Sequence, residues 1–128
     1  MSARYQLKVI TEFASAHTLR DYTGACSRRH GHTWKVELEA IATVLDDVGM
    51  GVDFKKMKTV AREVGDRLDH RYLNELEPFT EINPTAENIA AYLYREISTQ
   101  LNTDTIKVSA VTLWETERAC VKYSEENV

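Results

Sequence analysis

With 128 residues, 43% of them apolar and 28% charged, the chain is long enough for one domain whose core needs no disulfide staples. Sixteen Lys and Arg against twenty Asp and Glu leave a net charge of −4, which argues against a general nucleic-acid or anionic-membrane surface. No apolar run reaches the ~18 residues of a membrane span, the sequence opens without an apolar signal region, and two Cys make no disulfide framework, so the expected compartment is the cytoplasm. No repeat, low-complexity tract or linker divides the sequence, and residues 1–128 read as a single domain.

Residues 5–17 alternate, with Tyr5, Leu7, Val9, Thr11, Phe13, Ser15 and His17 on one parity, and predict a half-buried strand. A polar loop over 18–29 carries Cys26 and three cations, Arg20, Arg28 and Arg29. Alternation resumes at His30, His32, Trp34, Val36, Leu38, Ala40 and Ala42, opposite Lys35, Glu37 and Glu39. Gly49 and Gly51 break that strand, and Asp53 suits the cap of a helix with Phe54, Met57, Ala61, Val64 and Leu68 as its apolar stripe, ending near Asn74. Thr85 caps a second helix striped by Ile89, Leu93, Ile97 and Leu101. Strands over 106–115 and 118–123 complete the chain around a turn at Thr116 and Glu117. The order β-β-α-α-β-β predicts an α+β fold: a four-stranded antiparallel sheet with both helices on one face. Lys35, Glu37, Glu39 and Lys107 then mark the other face. Such a sheet leaves unpaired edges, which assembly of several copies can cover.

His30-Gly31-His32 on a strand places two imidazoles on one face, their Cα atoms ~6.6 Å apart. His17 has the parity of its own strand's apolar face and joins them if the two strands form a hairpin. Three neutral imidazoles with an open fourth position are the plan of a catalytic zinc site. Cys26 can be a fourth ligand, a thiolate base or nucleophile favoured by the neighbouring cations, or an inert loop thiol. Cys120, in an apolar-flanked strand, reads as packing. Asp69 next to His70 can orient an acid–base imidazole, although neighbours on a helix do not face each other. Glu115 at a strand end can hold a guanidine-like ring edge through two hydrogen bonds. Arg20, Arg28 and Arg29 can meet a phosphorylated substrate or simply be solvated.

Phe13-Ala14-Ser15-Ala16-His17, Cys26-x-x-x-His30-Gly31-His32, Leu68-Asp69-His70, Pro84-Thr85-Ala86-Glu87 and Trp114-Glu115-Thr116 follow one another in the order seen in the 6-pyruvoyltetrahydropterin synthase family. The stretch Gly49-Met50-Gly51-Val52-Asp53-Phe54 is also similar, so the resemblance spans nearly the whole chain. The three-residue gap between Cys26 and His30 resembles the bacterial 6-carboxytetrahydropterin synthases of queuosine and 7-deazaguanine biosynthesis. Thr33 departs from the Asn or Ser of many members.

The resemblance implies that His17, His30 and His32 hold Zn2+, that Cys26 accepts a proton, and that His70, oriented by Asp69, serves a second proton-transfer position. It implies that Glu115 anchors the pterin ring and shares in the relay, with Thr85 also against the ring. The implied reaction converts 7,8-dihydroneopterin triphosphate to 6-carboxy-5,6,7,8-tetrahydropterin, acetaldehyde and triphosphate. A 6-pyruvoyltetrahydropterin synthase, which eliminates triphosphate without cleaving the side chain, and a non-catalytic zinc-binding member of the fold are the alternatives. The implied architecture is the tunnelling fold: three subunits join their sheets into a barrel, and two trimers stack as a homohexamer. Asp69 and His70 can then reach a neighbouring subunit's Cys26.

Overall fold

The computed structural model describes residues 3–24 and 28–126. Strand β1 (Tyr5–His17) pairs antiparallel with β2 (His30–Ala42) in one unbroken register from Tyr5 opposite Ala42 to His17 opposite His30. β2 pairs with β4 (Ile106–Thr116) across a bulge at Glu39/Ala40, and β4 pairs with β5 (Ala119–Tyr123). Period-2 alternation sends Val9, Phe13, Trp34, Val36, Leu38, Val111 and Leu113 to one face, where all are buried. Burying side chains of this size contributes roughly 1.5–3 kcal/mol each. Lys35, Glu37, Glu39 and Lys107 lie on the opposite face, as expected, because Lys107 stands across from Ile41. There Lys8 and Lys35 flank Glu37, and Lys122 pairs with Glu39 at 3.2 Å.

Helix α1 (Phe54–Asp66) starts where the Asp53 carboxylate accepts from the Lys55 N–H at 2.8 Å. Met57, Val60, Ala61 and Val64 form its buried stripe, whereas Phe54 is 53% exposed and does not belong to it. The approach to α1 requires glycine at 51, since a Cβ there would lie 2.6 Å from that of Ala42. Helix α2 (Ala86–Leu101) is capped by Thr85, whose hydroxyl accepts from the Asn88 N–H at 3.1 Å, and it buries Ile89, Leu93, Ile97 and Leu101. No described helix is long and apolar enough to cross a membrane.

Two expectations need correction. The first helix ends at Asp66, not near Asn74, and the sheet has five strands, Arg71–Tyr72 being β3, in the order β3-β1-β2-β4-β5. One local rearrangement explains both. After α1 the chain turns through Leu68, and His70 takes a left-handed φ of 57°. The Asp69 carboxylate accepts the Ala14 N–H at 2.8 Å, while the His70 N–H donates to the Ala14 carbonyl. Arg71–Tyr72 is thereby laid parallel to β1 as strand β3, and a short 3-10 turn (Leu73–Glu75) follows. A long-range bond to β1 displaces the last turns of the helix. The closing turn also shifts by one residue, to Glu117 and Arg118.

Candidate metal centre and active site

The C-terminal end of β1 and the N-terminal end of β2 bring the three predicted imidazoles together. His17 stands directly across from His30, and His32 follows two residues along the same face. One ligand atom from each lies within 4.8 Å of the other two. The ring of Trp34, next on that face, sits edge-on to His17 and His32 at 5.2 Å and forms the floor of the cluster.

Two of the tautomers are fixed by backbone. A carbonyl oxygen only accepts, so Nδ1 of His17 must donate to Pro84 O at 2.7 Å and Nδ1 of His30 to Arg28 O at 2.7 Å. Each ring then presents Nε2 as a lone-pair donor, the outer-sphere arrangement that orients metal-binding histidines. His17 is 1% exposed, and its Nε2 is buried without a hydrogen-bond partner. Nε2 of His32 is likewise buried and unpartnered, with Glu115 Oε1 at 3.6 Å, beyond hydrogen-bond reach. Unpaired buried nitrogens are costly, and two aimed into one three-histidine cluster fit a cation there.

Burial holds the His17 imidazole below its ordinary value, against the opposing pull of the Pro84 carbonyl, and the charge of His30 adds to the lowering. Burial also lowers His32, with Glu115 opposing and His30 reinforcing. Both are therefore kept in the neutral form that binds metal.

Asp69 and His70 are joined as predicted, Nδ1 of His70 lying 2.8 Å from Asp69 Oδ2. The helix objection disappears because neither residue is helical. The Ala14 N–H, and then His70, hold the Asp69 carboxyl below the usual range. His70 and His32 border one pocket within a single chain. Glu115, the last residue but one of β4, lies beside His32, and Thr85 sits at the entry of α2, one residue after the carbonyl that orients His17. Cys26 lies outside the described residues. Cys120 is exposed rather than packed, because it faces outward across from Trp114.

Sequence reasoning missed the carbonyls of Pro84 and Arg28 and the floor supplied by Trp34. Only Trp34 carried a signal, its shared parity with His30 and His32. It also missed the function of Arg20, whose guanidinium donates to the carbonyls of Asn74, Phe79 and Ile82. The side chain of Asn74 brackets the backbone of Thr18, and that of Asn83 brackets the backbone of Arg20. Arg20 is an anchor of the loop after β1, not a free cation awaiting phosphate.

The profile of the 6-pyruvoyl tetrahydropterin synthase family matches residues 6–126. The chain belongs to this family. Among its relatives, the 6-carboxy-5,6,7,8-tetrahydropterin synthase of Bacillus subtilis is 34% identical over 104 residues, covering 77% of this chain and 69% of the relative. The enzyme of the same name from Rickettsia typhi is 29% identical over 129 residues, 87% of this chain and 94% of its own. The dihydroneopterin monophosphate aldolase of Pyrococcus furiosus is 37% identical over 86 residues, 67% of this chain and 69% of the relative. The fold agrees with the solved Caenorhabditis elegans 6-pyruvoyl tetrahydropterin synthase at a TM-score of 0.86 and 24% identity, covering 98% of each chain. Membership makes the chain an enzyme of the pterin synthases, whose relatives named for 6-carboxytetrahydropterin are lyases.

Proposed function

We propose that the chain is a zinc-dependent carbon–carbon lyase that converts 7,8-dihydroneopterin triphosphate to 6-carboxy-5,6,7,8-tetrahydropterin, acetaldehyde and triphosphate, serving queuosine and 7-deazaguanine biosynthesis. The observation that carries this reading is the convergence of His17, His30 and His32, two of them with buried unpaired Nε2 atoms, beside the carboxylate of Glu115. The relatives named for 6-carboxy-5,6,7,8-tetrahydropterin support it.

His17, His30 and His32 would hold the zinc, which would serve as a Lewis acid towards the side-chain oxygens of the substrate. The other work falls to the chain's own groups. Glu115 anchors the pterin ring by accepting from its guanidine-like edge. The Thr85 hydroxyl, whose oxygen already accepts from Asn88, retains a hydrogen to donate to the ring. Cys26 takes the first proton. His70 moves the second through Nε2, since its Nδ1 is engaged by Asp69. The cytoplasm is the compartment of this reading. The assembly it entails is a homohexamer of two stacked trimers, supported by the edges of β5 and of β1 outside its short pairing with β3, which carry no strand among the described residues, with Asp69 and His70 lent to a neighbour's site.

Incubation with dihydroneopterin triphosphate and mass analysis of every product tests the reaction. Carboxypterin with acetaldehyde is expected. A pyruvoyl product would replace this reading with triphosphate elimination, and no turnover by zinc-loaded protein would favour a non-catalytic member. The Pyrococcus furiosus relative makes the monophosphate the necessary comparison, because faster cleavage of that compound would reassign the substrate.

A further inference from the structure

We propose that the pocket on the helix-free face of the sheet, at the ends of β1, β2 and β3, is a subsite for a polyphosphate chain, with Arg29 and Arg71 as its cationic walls. The pocket holds about 530 Å³. Its floor is made of Ala14 across from Thr33 and Ala16 across from Gly31, three small side chains and a glycine. Packing within the chain does not demand glycine at 31. A Cβ there would meet nothing closer than the Ser15 carbonyl oxygen at 3.8 Å, an ordinary contact, and the backbone is not left-handed. The missing side chain therefore clears the space above the floor.

Charge distinguishes this pocket from its surroundings. The chain carries −4 overall, yet Arg29 and Arg71 line the pocket and, among the described residues, no carboxylate does. The adjoining pocket on the same face sets Glu12 and Glu117 beside Lys35 and would repel an anion. Arg29 is also held in place: its guanidinium lies 3.9 Å over the Tyr72 ring, and the Tyr72 hydroxyl donates to Thr18 Oγ1 at 2.8 Å. Stacking occupies the face of a guanidinium and leaves its in-plane N–H groups for phosphate oxygens. His32 borders the pocket from its strand, while its imidazole faces the metal centre on the other side of the sheet, so a phosphate chain in the pocket lies across the ends of β1 and β2 from the histidines. The three-arginine loop of the sequence is thus divided, Arg20 serving as an anchor and Arg29 as a phosphate ligand, joined by Arg71 from β3.

That the chain belongs to a triphosphate substrate rests on the proposed reaction, and two measurements separate the claims. Calorimetric titration with inorganic tripolyphosphate reads the subsite alone. Wild type is expected to bind, Arg29→Gln and Arg71→Gln each to weaken binding about tenfold, and Arg62→Gln on α1, an equal change in net charge, to leave it unchanged. Metal content and melting temperature of the same samples control for collapse of the site or fold. No binding by wild type, unaltered binding by both pocket variants, or equal loss in Arg62→Gln would overturn the subsite. Turnover reads the substrate: KM for dihydroneopterin triphosphate should rise in the pocket variants, with no change for the dephosphorylated compound. Binding of tripolyphosphate through Arg29 and Arg71 without carboxypterin formation would reject the reaction and keep the subsite. Carboxypterin formation with unaltered KM in both variants would keep the reaction and overturn the assignment of the subsite to its substrate.

Discussion

Nδ1 of His17, the last residue of β1, donates to the carbonyl oxygen of Pro84, two residues before α2, across 2.7 Å. A contact between residues 67 positions apart thus fixes which nitrogen of a buried imidazole is left for a cation.

Metal content follows from that geometry. His17→Ala should reduce bound zinc from about one per chain to near zero and cost about 2–3 kcal/mol in urea unfolding, because a buried side chain and the partner of Pro84 are both lost. Cys26→Ala should abolish turnover with zinc retained. Elemental analysis of the two proteins decides between them: loss of zinc in Cys26→Ala would make that thiol a ligand instead of a base.

Asp69 joins two tasks, since one oxygen accepts the Ala14 N–H and the other accepts from His70. Asp69→Asn keeps an oxygen for Ala14 but loses the charge that orients His70. We expect kcat to fall about 10²-fold, KM to change little, and the melting temperature to stay close to wild type. A fall in stability that accounts for the whole loss of activity would reduce Asp69 to a structural tie.

The buried histidines set a pH dependence in the metal-free protein. Burial lowers His17 and His32 in the folded chain, so below the unfolded value near 6.5 the unfolded state binds more protons than the folded one. Stability should therefore fall as pH drops from about 6.5 towards the lowered folded values, and be flat above that window. Urea midpoints between pH 8 and 5 check the sign, and His17→Gln should flatten the slope. A midpoint that rises on acidification contradicts the neutral assignment.

Arg20 is expected to matter for folding and not for phosphate. Its three carbonyl acceptors predict a loss of about 2–3 kcal/mol for Arg20→Ala. Arg62→Ala, on the exposed side of α1, should stay within about 0.5 kcal/mol. Equal unfolding midpoints for the two variants would contradict the anchoring role.

Periodicity made β1, β2, α2 and β4 legible because each buries one face over most of its length, and His17, His30 and His32 followed from parity. The end of α1 was hidden for a definite reason. Leu68 continues the helical spacing and is buried, but the bonds from Asp69 and His70 to Ala14 that stop the helix lie 55 residues away in sequence. Arg20 was illegible for a similar reason, since a cation that binds backbone carbonyls leaves no mark in the identity of its partners. The histidine cluster was read from side chains alone, whereas its orientation depends on two main-chain oxygens that no sequence pattern records.

The outer rim of β1 has a sheet partner only at Ser15 and Ala16, and among the described residues no strand lies along its first nine positions or beyond β5. At the open part of β4, Asn102 and Tyr94 take the place of a strand by bonding both backbone groups of Val108. The rim of β1 has no such substitute among the described residues. Peptide groups left this way are satisfied by water or by another copy, and the balance between the two is set by protein concentration. Specific activity should then decline on dilution and recover on concentration, with zinc content unaltered throughout.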